Sequence, residues 1–226
     1  MASCAGDLKT IPERVFCQLR EAIVEGEIPA GSKISEADLA QTYGISRGPL
    51  REAITQLAVV GLVERRPNVG ARVIELSSEQ LLDIFHVREA LEGMAARQAA
   101  QNMNEEQVEY LRQTLAQHAD QIREEGGNTY FQQSGDLDFH YQIVMGSANE
   151  YLVKLLCHDL YFLVRLYRYQ FGMRSKRGPA ALSEHHHIVE AIARGDGEMA
   201  ELLMRSHIRA SRENVERMLA TESKLN

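Results

Sequence analysis

Aspartate and histidine at helical spacing are the most chemically capable residues of this 226-residue chain. In DLDFHYQIV, Asp136 and His140 stand four apart, so one helix face carries both. Ile143 and Val144 extend that face toward an apolar interior. In SEHHHIVEAI, His185 shares a stripe with Ile188 and Ile192, whereas His186 and His187 fall off it. His207 follows Leu203 by four and Ala200 by seven, near the buried face of the last helix. Burying polar groups is costly unless they are paired. One carboxylate and three imidazoles aimed at one interior therefore suggest a divalent metal, chemically Zn²⁺, Ni²⁺, Mn²⁺ or Fe²⁺, with positions left open for water or ligand. Spacing alone equally permits core histidines bonded to one another and to water. Arg88, in VREALE, and more weakly Arg165 are candidates for binding a carboxylate ligand beside such an ion. For Arg88 the alternative is a salt bridge to Glu92 at i+4.

A second constellation is cationic. The chain has a formal net charge of −7, yet residues 46–72 hold Arg47, Arg51, Arg65, Arg66 and Arg72 against Glu52 and Glu64 only. Arg47, Arg51 and Thr55 are spaced i, i+4, i+8 and share one helix face, opposite Leu50, Ile54 and Leu57. Arginine suits a nucleic-acid surface because its planar fork binds phosphate, or guanine O6 and N7, with two hydrogen bonds. A helix start adds free N–H groups and the positive end of the helix dipole. A solvated arginine-rich face would have the same composition.

The elements that must position these groups are legible in outline. Residues 11–25 carry Val15, Phe16, Leu19, Ala22 and Ile23 at helical spacing, and Gly26, Pro29 and Gly31 end that helix. Ser35 is placed to cap a second helix and Ser46 a third, with Gly44 making the turn between them. Pro49 falls in the first turn of the third helix, where its missing N–H has no intrahelical partner to lose. Short strands are predicted at 62–65 and 71–75 around a Pro-Asn-Val-Gly tip. Three helices and a hairpin form the winged helix-turn-helix pattern. From Ser77 onward the pattern is helical, with six segments predicted near 78–101, 104–125, 128–146, 149–171, 179–194 and 196–221, an all-α antiparallel bundle. The expected organisation is thus a mainly α chain, with a winged helix-turn-helix domain at 1–76 and an all-helical domain at 77–226. No apolar run is long enough to span a bilayer, and MASCAGDLK lacks the apolar core of a signal peptide; a cytoplasmic protein is expected. Three cysteines without a C-x-x-C predict reduced thiols.

The stretch GEIPAGSKISEADLAQTYGISRGPLREAITQLAVVGLVERRPNVGARV resembles the DNA-binding domain of GntR-family bacterial transcription regulators. The helical remainder resembles the FCD ligand-binding domain of the FadR subfamily, through DLDFH, the Glu184-His185-x-x-Ile188 run and a late helical histidine. The resemblance implies a recognition helix presenting Ser46, Arg47, Gly48 and Arg51 to the major groove of a double-stranded operator. It implies a wing, with Arg65, Arg66, Asn68, Gly70 and Arg72, along the backbone or minor groove. Val69 departs from the polar residue common at that wing position, and Gly48 offers no side chain, so base readout would rest on few groups. The resemblance also implies that Asp136, His140, His185 and His207 form a metal-binding tetrad, zinc being the first expectation. The implied protein is a homodimeric repressor whose operator affinity follows a small organic acid bound at the metal, with Arg88 and Arg165 as effector contacts. The alternatives are a repressor that senses the metal itself and a metal-dependent hydrolase; no nucleophile motif or phosphate loop supports the latter.

Overall fold

The computed structural model describes residues 10–66, 70–75, 77–124, 139–170 and 177–222. It divides into two compact units, Met1–Leu76 with His158–Gly172, and Ser77–Cys157 with Met173–Asn226.

In the first unit, α1 (Ile11–Val24) starts where the Thr10 N–H donates to Glu13 Oε2 at 2.8 Å. Helices α2 (Glu36–Thr42) and α3 (Arg47–Val59) are joined by Gly44, whose φ of +62° is the left-handed turn an L side chain resists. Ser35 caps α2, its Oγ accepting from the Asp38 N–H at 3.3 Å. Leu50, Ala53, Ile54 and Leu57 of α3 are buried with Leu19 and Ile23 of α1, each large side chain stabilising the unit by about 1.5–3 kcal/mol. The wing pairs β2 (Val63–Arg66) with β3 (Gly70–Val73), in the register Val63↔Val73 to Arg66↔Gly70. A two-residue strand that sequence reading did not predict, β1 (Lys33–Ile34), adds to the other edge of β3, so the sheet order is β1-β3-β2.

The second unit contains α4 (Ser78–Asn102), α5 (Glu105–Glu124), α6 (Phe139–Gly146), α7 (Glu150–Leu152), α9 (Gly178–Ala193) and α10 (Gly197–Glu222). A reciprocal capping box opens α4: the Ser77 N–H donates to Gln80 Oε1 at 2.9 Å and the Gln80 N–H to Ser77 Oγ at 3.2 Å. The predicted segment 149–171 is one helical run of three kinds: α7, a π-helical stretch over Val153–Leu160, and α8 (Tyr161–Gln170). Phe162 and Leu166 of α8 join the apolar core of the first unit. Cys157 is buried and outside any disulfide, but Cys17 is disulfide-bonded, a departure from the reduced state that the cysteine count and spacing predict. Among the described residues no helix is long and apolar enough to cross a membrane.

Candidate nucleic-acid face and metal centre

The start of α3 brings an exposed arginine to a helix N-terminus. Ser46 occupies the N-cap with extended backbone, φ −75° and ψ 162°, but its side chain makes no cap hydrogen bond. The N–H groups of the exposed Arg47 and Gly48 lie at the positive end of the helix, and Pro49 has none to satisfy. Arg47, the first helical residue, is exposed and makes no hydrogen bond or ion pair among the described residues. Arg51, one turn on, is committed: its Nε donates to Glu36 Oε2 at 2.7 Å. The wing joins this face where Arg65 Nη1 donates to Thr55 Oγ1 at 3.0 Å. Arg66 pairs with Glu64 at 3.0 Å, and Arg72 donates to the Gly31 carbonyl. Gly70 begins β3 at φ +99°, the conformation that lets the strand leave the wing tip. Asn68 lies outside the described residues. Neither Glu36 as partner of Arg51 nor Thr55 as partner of Arg65 was read from the sequence, because both pairings cross between elements.

The histidines converge in the second unit. His140 on α6, His185 on α9 and His207 on α10 are all buried, and each brings one ring nitrogen to within 4.8 Å of the others. Ring centroids lie 5.2 Å apart for His140 and His185, 5.1 Å for His140 and His207, and 4.4 Å for His185 and His207. His185 stacks on Phe139 at 4.1 Å, and its Nε2 lies 3.1 Å from Nε2 of His207. Asp136 lies outside the described residues.

Two carboxylates flank the cluster. Glu92 Oε2 lies 2.6 Å from His140 Nδ1, and its other oxygen accepts from Arg88 Nε at 2.5 Å, all three side chains being buried. Glu184 Oε2 lies 2.6 Å from His207 Nδ1, and Arg177 Nη2 donates to both Glu184 oxygens, at 2.9 and 2.7 Å. Burial by itself would raise the Glu92 carboxyl, but the Arg88 guanidinium and the His140 ring outweigh it and hold the group well below the usual carboxylate range. Glu184 is likewise lowered: burial opposes, and the bond to His207 and the charge of Arg177 prevail. Burial pushes His207 down to about 4, against the pull of Glu184, so its ring is neutral at pH 7.

The donor set fits a divalent transition ion. Two imidazole nitrogens bound tetrahedrally to one zinc lie about 3.3 Å apart, close to the 3.1 Å between His185 and His207. Metal-bound histidines also characteristically place their other ring nitrogen against a carboxylate, as His140 and His207 do. Of the two proposed effector arginines, Arg88 stands at this cluster, paired with Glu92 and packed on Phe85. Arg165 does not; it belongs to the first unit and pairs with Glu21 Oε2 at 3.0 Å. In the sequence Glu92 reads only as a partner for Arg88, Glu184 only as part of the run that carries the resemblance, and Arg177 has no assigned part. The i+4 spacing of Arg88 and Glu92 was the available signal for the first carboxylate, and the adjacency of Glu184 to His185 for the second.

Comparison with known proteins agrees with this architecture. The model of bacterial regulatory proteins of the gntR family matches residues 11–73, and the FCD domain model matches residues 83–210. A Paenarthrobacter nicotinovorans protein named as a probable D-xylose utilization operon transcriptional repressor is 30% identical over 214 residues, covering 87% of this chain and 86% of its own. The HTH-type transcriptional repressor RspR of Escherichia coli K12 is 29% identical over 205 residues, 91% of this chain and 89% of its own. Among solved structures, E. coli McbR/YncC shares the fold with a TM-score of 0.73 at 20% identity, over 94% of this chain and all of that one. A GntR regulator from Rhodococcus sp. RHA1 gives 0.72 at 21%, over 90% of this chain and 96% of that one. The chain therefore belongs to the GntR family of bacterial regulatory proteins, with an FCD domain following its winged helix, and is a DNA-binding transcription regulator rather than an enzyme.

Proposed function

We propose that this regulator is a metabolite-responsive repressor that works as a homodimer on paired operator half-sites. Ser46, Arg47, Gly48 and Arg51 at the start of α3 enter the major groove. Arg65, Arg66, Asn68, Gly70 and Arg72 follow the backbone or minor groove. The dimer supplies two such faces for a two-fold operator.

In the second unit, His140, His185 and His207, with Asp136, hold a divalent ion, zinc in the first instance. That ion, when bound, supplies open coordination positions to an oxygen ligand. Arg88 reaches the same ligand: its pair with Glu92 uses Nε and leaves the Nη groups for the carboxylate of a small organic acid. Effector binding biases one of two arrangements of the dimer and so changes operator affinity. The observation that carries the reading is the convergence of three buried imidazoles from three helices, two of them backed by carboxylates.

The test is operator binding by fluorescence anisotropy with chelator-treated protein, with Zn²⁺ restored, and with Zn²⁺ plus a panel of mono-, di- and tricarboxylic acids. The reading expects an acid-dependent change in operator affinity that disappears when the metal is removed. A full response to Zn²⁺ alone would make the ion itself the signal. Acid responses that survive metal removal would place the effector elsewhere.

A further inference from the structure

Glu92 and Glu184 are not among the residues expected to touch an ion, and the geometry gives them another task. An ionised carboxylate only accepts hydrogen bonds. At 2.6 Å from Glu92 and from Glu184, the Nδ1 atoms of His140 and His207 must therefore be donors. We propose that Glu92 and Glu184 are positioning residues that fix His140 and His207 as Nδ1–H tautomers, so that both present a bare Nε2 toward the cluster before any ion arrives.

This rests on the metal reading of the site for its purpose, though not for its geometry. Arg88 and Arg177 support the arrangement from behind. Each holds its glutamate in place and balances its charge, so the two relays run Arg88–Glu92–His140 and Arg177–Glu184–His207.

The assignment has a consequence for the third histidine. With the His207 proton on Nδ1, its Nε2 can only accept. The 3.1 Å contact then requires His185 to carry its own proton on Nε2. Two of the three rings are pre-set for a cation, and His185 is the one whose proton must move from Nε2 to Nδ1 when the ion enters. Nothing is gained or lost in that step; one N–H breaks, another forms, and the ring stays neutral.

The test uses the full chain, ¹⁵N-labelled at histidine, and Zn²⁺ alone as the probe. Two-bond ¹H–¹⁵N spectra of the metal-free protein should show His140 and His207 protonated on Nδ1 and His185 on Nε2. Zn²⁺ should then convert His185 to the Nδ1–H form. Glu184→Gln, whose amide can donate as well as accept, should give His207 a mixed tautomer and weaken Zn²⁺ binding about 10–100-fold. Arg177→Gln, which removes the cation paired with Glu184, should move both readouts the same way by less. An Nε2–H His207 in the metal-free wild type, or Zn²⁺ affinity within twofold of wild type in folded Glu184→Gln, overturns the assignment. A wild-type chain that takes up no Zn²⁺ ends the metal reading instead, and the metal-free tautomers still decide where the protons lie. The same spectra decide the matter if Glu184→Gln does not fold.

Discussion

The two arginines on the exposed face of α3 should differ in how much operator affinity they carry, because among the described residues one makes no bond and the other is already engaged. Among the described residues Arg47 makes no bond that must be broken to reach DNA, so Arg47→Ala loses the whole of its contact. A bidentate arginine contact to a base is worth about 1–3 kcal/mol, which is roughly a 5- to 150-fold weaker Kd. Arg51 must first leave Glu36, 2.7 Å away. That pair is exposed, with side-chain accessibilities of 60% and 32%, and such pairs contribute about 0–1 kcal/mol. Arg51→Ala should accordingly cost less than Arg47→Ala by up to that amount. Glu36→Gln releases Arg51 and removes a negative charge from the docking face, so it should tighten binding by up to about fivefold. The assay is anisotropy titration at one fixed salt concentration, on a duplex recovered by selection with the full-length protein. The reasoning fails if Arg47→Ala stays within twofold of wild type, or if Arg51→Ala is the more damaging and Glu36→Gln weakens binding.

Three further outcomes are expected. Glu92→Leu leaves the buried Arg88 guanidinium and the His140 Nδ1–H without their acceptor, a loss of about 3–5 kcal/mol; urea melts should show it, and the double variant Arg88→Leu/Glu92→Leu should recover most of it. Removing zinc present at 100 times its Kd should withdraw about 2.7 kcal/mol; scanning calorimetry should then show the thermal midpoint about 5–10 °C lower, and an unchanged midpoint counts against a bound ion. Burial would raise the Glu21 carboxyl, yet Arg165 and Arg20 hold it below its ordinary 4.5; its stabilisation is therefore full above that value and lost as pH falls through the lower folded value. Hydrogen exchange of α1, corrected for intrinsic rates, should show less acid-induced opening below about pH 4.5 in Glu21→Gln than in wild type.

Much of the architecture could be read from periodicity and caps. Ser35, Ser46 and Ser77 begin helices where their types suggest, and the His185–Ile188–Ile192 stripe is buried as its spacing requires. The wing strands fall within two residues of their predicted bounds, at Val63–Arg66 and Gly70–Val73. What was not legible shares one cause. A two-residue strand such as β1 has no period of its own and exists only because β3 offers an edge. Glu184 lies off the apolar stripe of α9, and only the fold brings the His207 ring to it. Ser46 was legible as an N-cap by position, but whether its hydroxyl turns back to the helix is decided by local geometry that residue type does not set. The π-helical stretch likewise has no compositional mark, since the i→i+5 pattern uses the same apolar residues as an α-helix.

The inclusion of α8 in the first unit has a consequence for how a working DNA reader is made. Phe162 and Leu166 share a core with Leu19 and Ile23, and the Arg20 guanidinium lies over the Phe162 ring at 4.6 Å, although about 140 residues of chain separate them. A fragment ending at Leu76 would carry the recognition helix and wing but leave that part of its core uncovered, because the covering side chains come from a segment that the linear order assigns to the sensor. During synthesis the same arithmetic sets a schedule. The N-terminal reader emerges first from the ribosome, yet its last packing surface arrives only with residues 161–170. The protein therefore completes the core of its first unit only after α4 to α7 have been made, with α9 and α10 still to follow, a contact of long sequence separation of the kind that slows folding.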